Sequence, residues 1–150
     1  MDTHGWDGAW FRRAYFDNGQ PLGAQGNTEC RIDLIVQAWS VFALGPDNRQ
    51  ARQAMQSADA LLVDRKVGLV RLLDPPLQHA SVAAGYIQAY PPGVRENGGH
   101  YAHGAVWALM AQAQLGHADK AWEYVQLISP AHRANTPQTQ QLYGLEPYVM

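Results

Sequence analysis

The residues best equipped for chemistry lie in one segment, Tyr86-Ile87-Gln88-Ala89-Tyr90-Pro91-Pro92-Gly93-Val94-Arg95-Glu96-Asn97-Gly98-Gly99. Its prolines and glycines stiffen and bend the backbone. Arg95 can clamp an anion or sugar hydroxyls, Glu96 can accept from hydroxyls, and Tyr86 or Tyr90 can stack under a pyranose ring. The same residues also suit a rigid turn in which Arg95 pairs locally with Glu96, and spacing does not choose between the two. His100 and His103 follow, three residues apart, where a helix is expected to begin. Free amides and the helix dipole there favour an anion, although a capping or solvated histidine fits equally. Metal binding needs a third ligand that the motif does not name. Cys30, at an expected helix start, has no assignable partner and reads as a packed structural thiol. Trp6-Asp7-Gly8 sets a carboxylate beside an aromatic ring, as glycosidases do and as ordinary turns also do. No glycine-rich phosphate loop, Ser–His–Asp pattern or metalloprotease helix is present.

Helices must position this segment. The first is expected over Glu29–Leu44, capped by Asn27 or Thr28, with Ile32, Ile35, Val36, Trp39 and Phe42 at helical spacing. Gly45-Pro46 ends it, and Asp47 opens a second over Asn48–Asp64 with Ala51, Ala54, Met55, Ala58, Leu61 and Leu62 inward. Val67–Leu73 is a short strand or extended crossing. Residues 74–99 form a long irregular connector of the kind that often carries function. Two more helices are expected over His100–Leu115 and Ala118–Ile128, and Thr136-Pro137 opens a short fifth. Trp39, Trp107 and Trp122 fall on the helix stripes and are expected in the core. Leu44–Ala51 and Leu115–Ala121 echo one another: each joins a Trp-bearing helix to an amphipathic one through a glycine stop and an acidic restart. That repeat predicts an almost all-α fold of antiparallel helical hairpins, with the connector at one end.

The chain has 150 residues, about one domain's worth, and a formal net charge of −2. A nucleic-acid binder would be clearly basic, so that class is disfavoured. With 47% hydrophobic and 16% charged residues, it is too apolar for a disordered chain. No apolar run reaches 18 residues and no leader pattern opens the sequence, so no membrane segment is expected and a cytoplasmic location is. One cysteine rules out an internal disulfide and a Cys-rich zinc site.

Four segments, taken in order, resemble one family. They are Trp6-Asp7-Gly8-Ala9-Trp10-Phe11-Arg12-Arg13-Ala14-Tyr15-Phe16-Asp17, Asn27-Thr28-Glu29-Cys30-Arg31-Ile32-Asp33, Gly85-Tyr86 through Gly99, and Leu145-Glu146-Pro147-Tyr148-Val149. Their order and spacing resemble the catalytic domain of glycoside hydrolase family 94. The resemblance is nearest to its cyclic β-1,2-glucan synthase and β-1,2-oligoglucan phosphorylase branch. Cellobiose and chitobiose phosphorylases are more distant members. It covers essentially the whole chain and implies an all-α fold, an (α/α)6 toroid with a Pro/Gly-rich active-site loop. Twelve helices of about 12 residues with loops of about five need roughly 200 residues. Residues 1–150 therefore read as part of one such barrel.

The implied chemistry is inverting phosphorolysis: inorganic phosphate attacks the anomeric carbon of a β-glucoside while an Asp protonates the leaving oxygen. In the family that Asp precedes the Trp-Asp-Gly segment. No residue here matches it, and Asp7 does not take its place. A Thr/Gly segment that helps hold phosphate follows the Glu-Pro-Tyr-Val motif in the family and is also unmatched. By the resemblance, His103 binds phosphate and Tyr90 belongs to the acceptor-sugar subsite. Arg95 stands for a lysine of the cellobiose enzymes. Tyr86 stands for a glutamate, so the acceptor should differ from that of cellobiose enzymes. Glu96-Asn97 is a family motif without an assigned role; Glu96 is counted with the substrate-binding residues. The implied partners are a β-linked glucan or oligosaccharide and phosphate as co-substrate, with no cofactor and no metal. Two classes stay open: an enzyme segment that works with the rest of its barrel and is inactive alone, or a non-catalytic carbohydrate-binding or remnant protein. For a partial barrel, exposed apolar helix faces or an oligomer that covers them are expected.

Overall fold

The computed structural model describes residues 4–80 and 82–144. The Leu145–Val149 segment of the resemblance lies outside the described residues. The chain is helix-rich, with strands of two residues each. In order, the elements are β1 (Ala14–Tyr15), β2 (Pro21–Leu22), β3 (Ile32–Asp33), α1 (Leu34–Leu44), α2 (Arg49–Leu62), β4 (Val63–Asp64), β5 (Leu69–Val70) and β6 (Leu73–Asp74). A 3-10 turn (Gly85–Ala89) follows, then α3 (Ala102–Gln114), α4 (Ala118–Ile128), α5 (Pro130–Arg133) and α6 (Pro137–Tyr143). The strands pair as β1–β2, β3–β6 and β4–β5, all antiparallel. The Val67–Leu73 crossing is thus two short strands, each with its own partner.

Helix α1 starts five residues later than its hydrophobic spacing predicts. Cys30 adopts a left-handed backbone (φ 45°), which a helix cannot contain. Ile32 and Asp33 pair with Asp74 and Leu73 instead. The cap is Asp33, whose carboxylate accepts from the amides of Ile35 (2.9 Å) and Val36 (3.3 Å). Arg13 forms an ion pair with the same buried carboxylate. Burial pushes the Asp33 carboxyl upward, and Arg13 and the two amides oppose that shift.

Helices α1 and α2 pack together, as do α3 and α4, and α1 packs on α3. The short Gly45–Asn48 and Leu115–His117 links fold each pair into a hairpin. The interfaces are lined by small residues, among them Ala38, Ala51, Ala54, Ala58, Ala105, Ala108 and Ala111, all buried. Small side chains let the helix axes approach closely. Around them Leu34, Met55 and Leu62 are sealed from water, each contributing about 1.5–3 kcal/mol. Gln37 staples the amino-terminal segment to α1: it accepts from the Phe11 amide (2.9 Å) and donates to the Phe11 (2.9 Å) and Asp33 (2.8 Å) carbonyls. Asp59 of α2 accepts from Tyr124 (2.9 Å) and Arg65 (2.7 Å) and pairs with Lys120, binding α2 to α4.

The tryptophans correct an expectation. Trp39 is 47% exposed and Trp122 56%, and Trp107 is only partly buried. Leu34, Gln37, Ala38 and Val41 take the inward face of α1, small residues that of α3, and Ala121, Tyr124 and Ile128 that of α4, leaving the indoles on the outer margin. Trp39 and Trp107 meet edge-on across α1 and α3 (5.3 Å), beside exposed Val106 and Met110. Exposed apolar helix surface of the expected kind is therefore present. No helix among the described residues is long and apolar enough to cross a membrane.

Candidate functional site

The Tyr86–Gly99 segment is held by buried polar contacts. Asn97 is fully buried. Its side chain accepts from the Leu77 amide (2.7 Å) and donates to the carbonyls of Leu77 (2.7 Å) and Tyr90 (2.8 Å). Glu29 accepts from the amides of Gln78 (2.8 Å) and His79 (2.8 Å), tying down the segment's approach and lowering the Glu29 pKa. Between Gly93 and Gly99 the backbone closes on itself, with Gly93 N–H bonded to Asn97 O (2.8 Å) and Gly99 N–H to Arg95 O (3.0 Å). A Cβ on Gly99 would stand 2.6 Å from the Arg95 carbonyl oxygen, so only glycine fits. Arg95 itself is left-handed (φ 49°), an uncommon state for a residue with a Cβ.

From this frame Arg95 projects 62% of its side chain to solvent. Its guanidinium lies over the Tyr90 ring (5.1 Å), and its Nε is 3.7 Å from Glu96 Oε2. The local Arg95–Glu96 pair weighed from the sequence is therefore present, though long. Tyr86 stands perpendicular to Tyr90 (6.2 Å) and is 65% exposed. Glu96 Oε2 is buried and has no hydrogen-bond partner. The Glu96 charge pushes the neighbouring Tyr101 phenol upward.

Arg95 also lines a cleft of about 500 Å³, which it shares with His100, Tyr101, His103 and Arg133 against apolar Leu69 and Ile128. His103 is exposed in the first turn of α3, a helix start that no side chain caps. Its ring packs on Trp107 (4.0 Å between centroids). The structure thus brings Arg95 and His103 to one cavity, with Tyr90 joined to them through the Arg95 guanidinium. Tyr86 and Tyr90 do not line that cavity.

His100 differs from expectation. Helix α3 begins at Ala102, and His100 lies before it, bridged to Arg71. Its Nδ1 accepts from the Val70 amide (2.9 Å), while Nε2 is buried without a partner. Burial, and then the nearby Arg133 charge, lower its pKa. Sequence reasoning noticed this residue only through its spacing to His103. It missed Arg133, which follows α4 by five residues and whose Nη1 donates to the Gly68 carbonyl.

The remaining candidates are structural. Asp7 pairs with Arg12 (2.6 Å) and accepts from the Gln25 amide, which leaves it engaged within a turn. Cys30 is wholly buried, and burial pushes its thiol up to about 12. Among the described residues, no group of three or more His, Cys, Asp or Glu side chains is placed to hold a metal ion.

The model of the Glycosyl hydrolase 94 superfamily catalytic domain matches residues 1–150. The chain belongs to this superfamily. It is 43% identical over 150 residues to the cyclic beta-(1,2)-glucan synthase NdvB of Rhizobium meliloti (strain 1021), covering 100% of this chain and 5% of that protein. It is 31% identical over 149 residues to the solabiose phosphorylase of Paenibacillus borealis (99% of this chain, 19% of that one). It is 29% identical over 131 residues to an N,N'-diacetylchitobiose phosphorylase of Vibrio proteolyticus (86% and 16%). The family 94 chain thus spans between 5% and 19% of the length of these relatives.

Proposed function

We propose that this family 94 chain carries part of the substrate site of a β-glucoside phosphorylase or cyclic β-1,2-glucan synthase-type domain. That domain would be an (α/α)6 toroid performing inverting phosphorolysis. The observation that carries the reading is Arg95: one guanidinium lies on the Tyr90 ring, borders Glu96, and lines the cleft of His103. In this reading phosphate is the co-substrate, held at His103 with Arg95 supplying permanent charge and several donors. Tyr90 and Tyr86 offer ring faces to the acceptor sugar. Glu96 Oε2, buried and joined only by the long ion pair to Arg95, accepts a sugar hydroxyl. By the family resemblance the proton donor to the leaving oxygen is an Asp that no residue here matches, and Asp7, bound by Arg12 and Gln25, does not stand in for it.

The test is an NMR titration with inorganic phosphate and, separately, with a β-1,2-linked glucose disaccharide, following the His103 ring. Shifts at millimolar ligand that His103→Ala abolishes throughout the protein support the reading. Unmoved His103 signals overturn the site assignment.

A further inference from the structure

We infer that His100 is a further ligand-binding residue of this cleft, its Nε2–H donating to an oxygen of the anion held between Arg95 and His103. The inference rests on the phosphate reading above and adds to it a residue that the family resemblance does not supply.

The tautomer follows from the backbone. The Val70 amide can only donate, so Nδ1, 2.9 Å away, accepts and carries no proton. The ring proton of neutral His100 is then on Nε2. Burial and the charge of Arg133 both work against a second proton, so the neutral form is favoured. Nε2–H is therefore a fixed donor, buried, with no acceptor among the described residues. Buried polar groups are almost always paired. Here the side chain lines the same cavity as two guanidinium-bearing residues, Arg95 and Arg133. One of these is already committed in part: Arg133 Nη1 donates to the Gly68 carbonyl. The wall thus sets the donors and charge of His100, Arg95 and Arg133 beside the Tyr101 and Tyr143 phenols, with the Glu96 carboxylate 3.7 Å from Arg95 Nε, and an oxyanion complements its two guanidinium groups. Arg95 would supply charge and His100 a neutral, directional hydrogen bond set by the β5 backbone.

Phosphate is titrated into the whole chain labelled with ¹⁵N-histidine, and both imidazoles are followed. Movement of the His100 Nε2 resonance in parallel with His103 supports the inference. His100→Gln keeps an amide nitrogen near the Nε2 position, whereas His100→Asn places one near Nδ1. Loss of one hydrogen bond to the anion predicts about tenfold weaker phosphate binding for His100→Asn and less than about threefold for His100→Gln. Equal weakening in both variants, or neither weakened, overturns the inference, as does a stationary His100 resonance while His103 saturates. That last result leaves the phosphate reading standing. If neither histidine moves at millimolar phosphate, the phosphate reading fails and this inference falls with it. The wild-type resonances decide even if a variant does not fold.

Discussion

The Asn97 side chain and the Leu77 backbone bond in both directions, 2.7 Å each way, across a sequence separation of 20 residues. The same amide nitrogen reaches the Tyr90 carbonyl. One buried side chain therefore closes the loop that carries Tyr90, Arg95 and Glu96. Asn97→Ala strands the Leu77 N–H, the Leu77 carbonyl and the Tyr90 carbonyl. Each stranded buried group costs about 1–3 kcal/mol, so a total loss of roughly 3 kcal/mol or more is expected. Asn97→Asp fares no better, because a carboxylate oxygen would face two carbonyls. Urea unfolding of both variants checks this. A loss below about 1 kcal/mol in Asn97→Ala would remove Asn97 from its place as the loop's anchor.

Arg95 separates a binding role from a structural one. Its left-handed backbone costs a residue with a Cβ about 1–2 kcal/mol, which glycine would not incur. Glycine gains about 0.5–1 kcal/mol of freedom in the unfolded chain. Arg95→Gly is therefore expected to change stability by no more than about 1 kcal/mol while abolishing detectable phosphate binding. A destabilisation above about 2 kcal/mol would mean that the contacts with Tyr90 and Glu96 mainly hold the turn together. Denaturant melts and ligand titration on one preparation give both answers.

His100 makes stability depend on mild acid. Its folded pKa lies below the ordinary histidine value of 6.5. Above that value neither state is protonated at this site, and its contribution to stability is fully present. As pH falls below 6.5, the unfolded chain takes up the proton first. Stability is then lost until the folded-state pKa is passed. Melting curves between pH 7 and pH 5 should show a decline that is shallower in His100→Gln. An identical slope in the two proteins would show that burial of His100 does not govern it.

Much of this architecture is legible in the sequence. The Gly45 and Gly116 stops and the Thr136 cap of α6 are local signals that the helices obey, whereas α2 is capped by Asn48, whose side chain accepts from the Ala51 amide, and not by the expected Asp47 one residue earlier. Helix α1 is legible in type but not in start, because the left-handed turn at Cys30 and the β3–β6 pairing depend on residues 40 positions away. Period alone placed Trp39 inside. It could not show that Leu34, Gln37, Ala38 and Val41 fill the inward face of α1. At the candidate site, type and order single out Arg95 and His103, and the fold brings both to one cleft. Asn97 was visible only as part of a motif, since its partners are backbone atoms. His100 was legible as a histidine but not as a donor, because only the fold brings the Val70 amide to its other nitrogen.

Arg13 and Asp33 supply the remaining prediction, one that links the amino-terminal aromatic segment to the start of α1. Asp33 is buried, caps α1 through two amides, and faces Arg13. Arg13→Ala keeps both cap bonds but leaves the carboxylate without its counter-charge. Breaking a fully buried pair costs about 3–5 kcal/mol. Arg13 is 27% exposed, so water replaces part of the lost interaction and roughly 2–3 kcal/mol is expected. Asp33→Asn retains an oxygen that can cap the helix and needs no counter-ion. In the Arg13→Ala background it should recover part of the loss. The sign of that double-mutant coupling, read from urea midpoints, is the check. If Asp33→Asn is as damaging in the Arg13→Ala background as in the wild type, Arg13 does not act through the charge of Asp33.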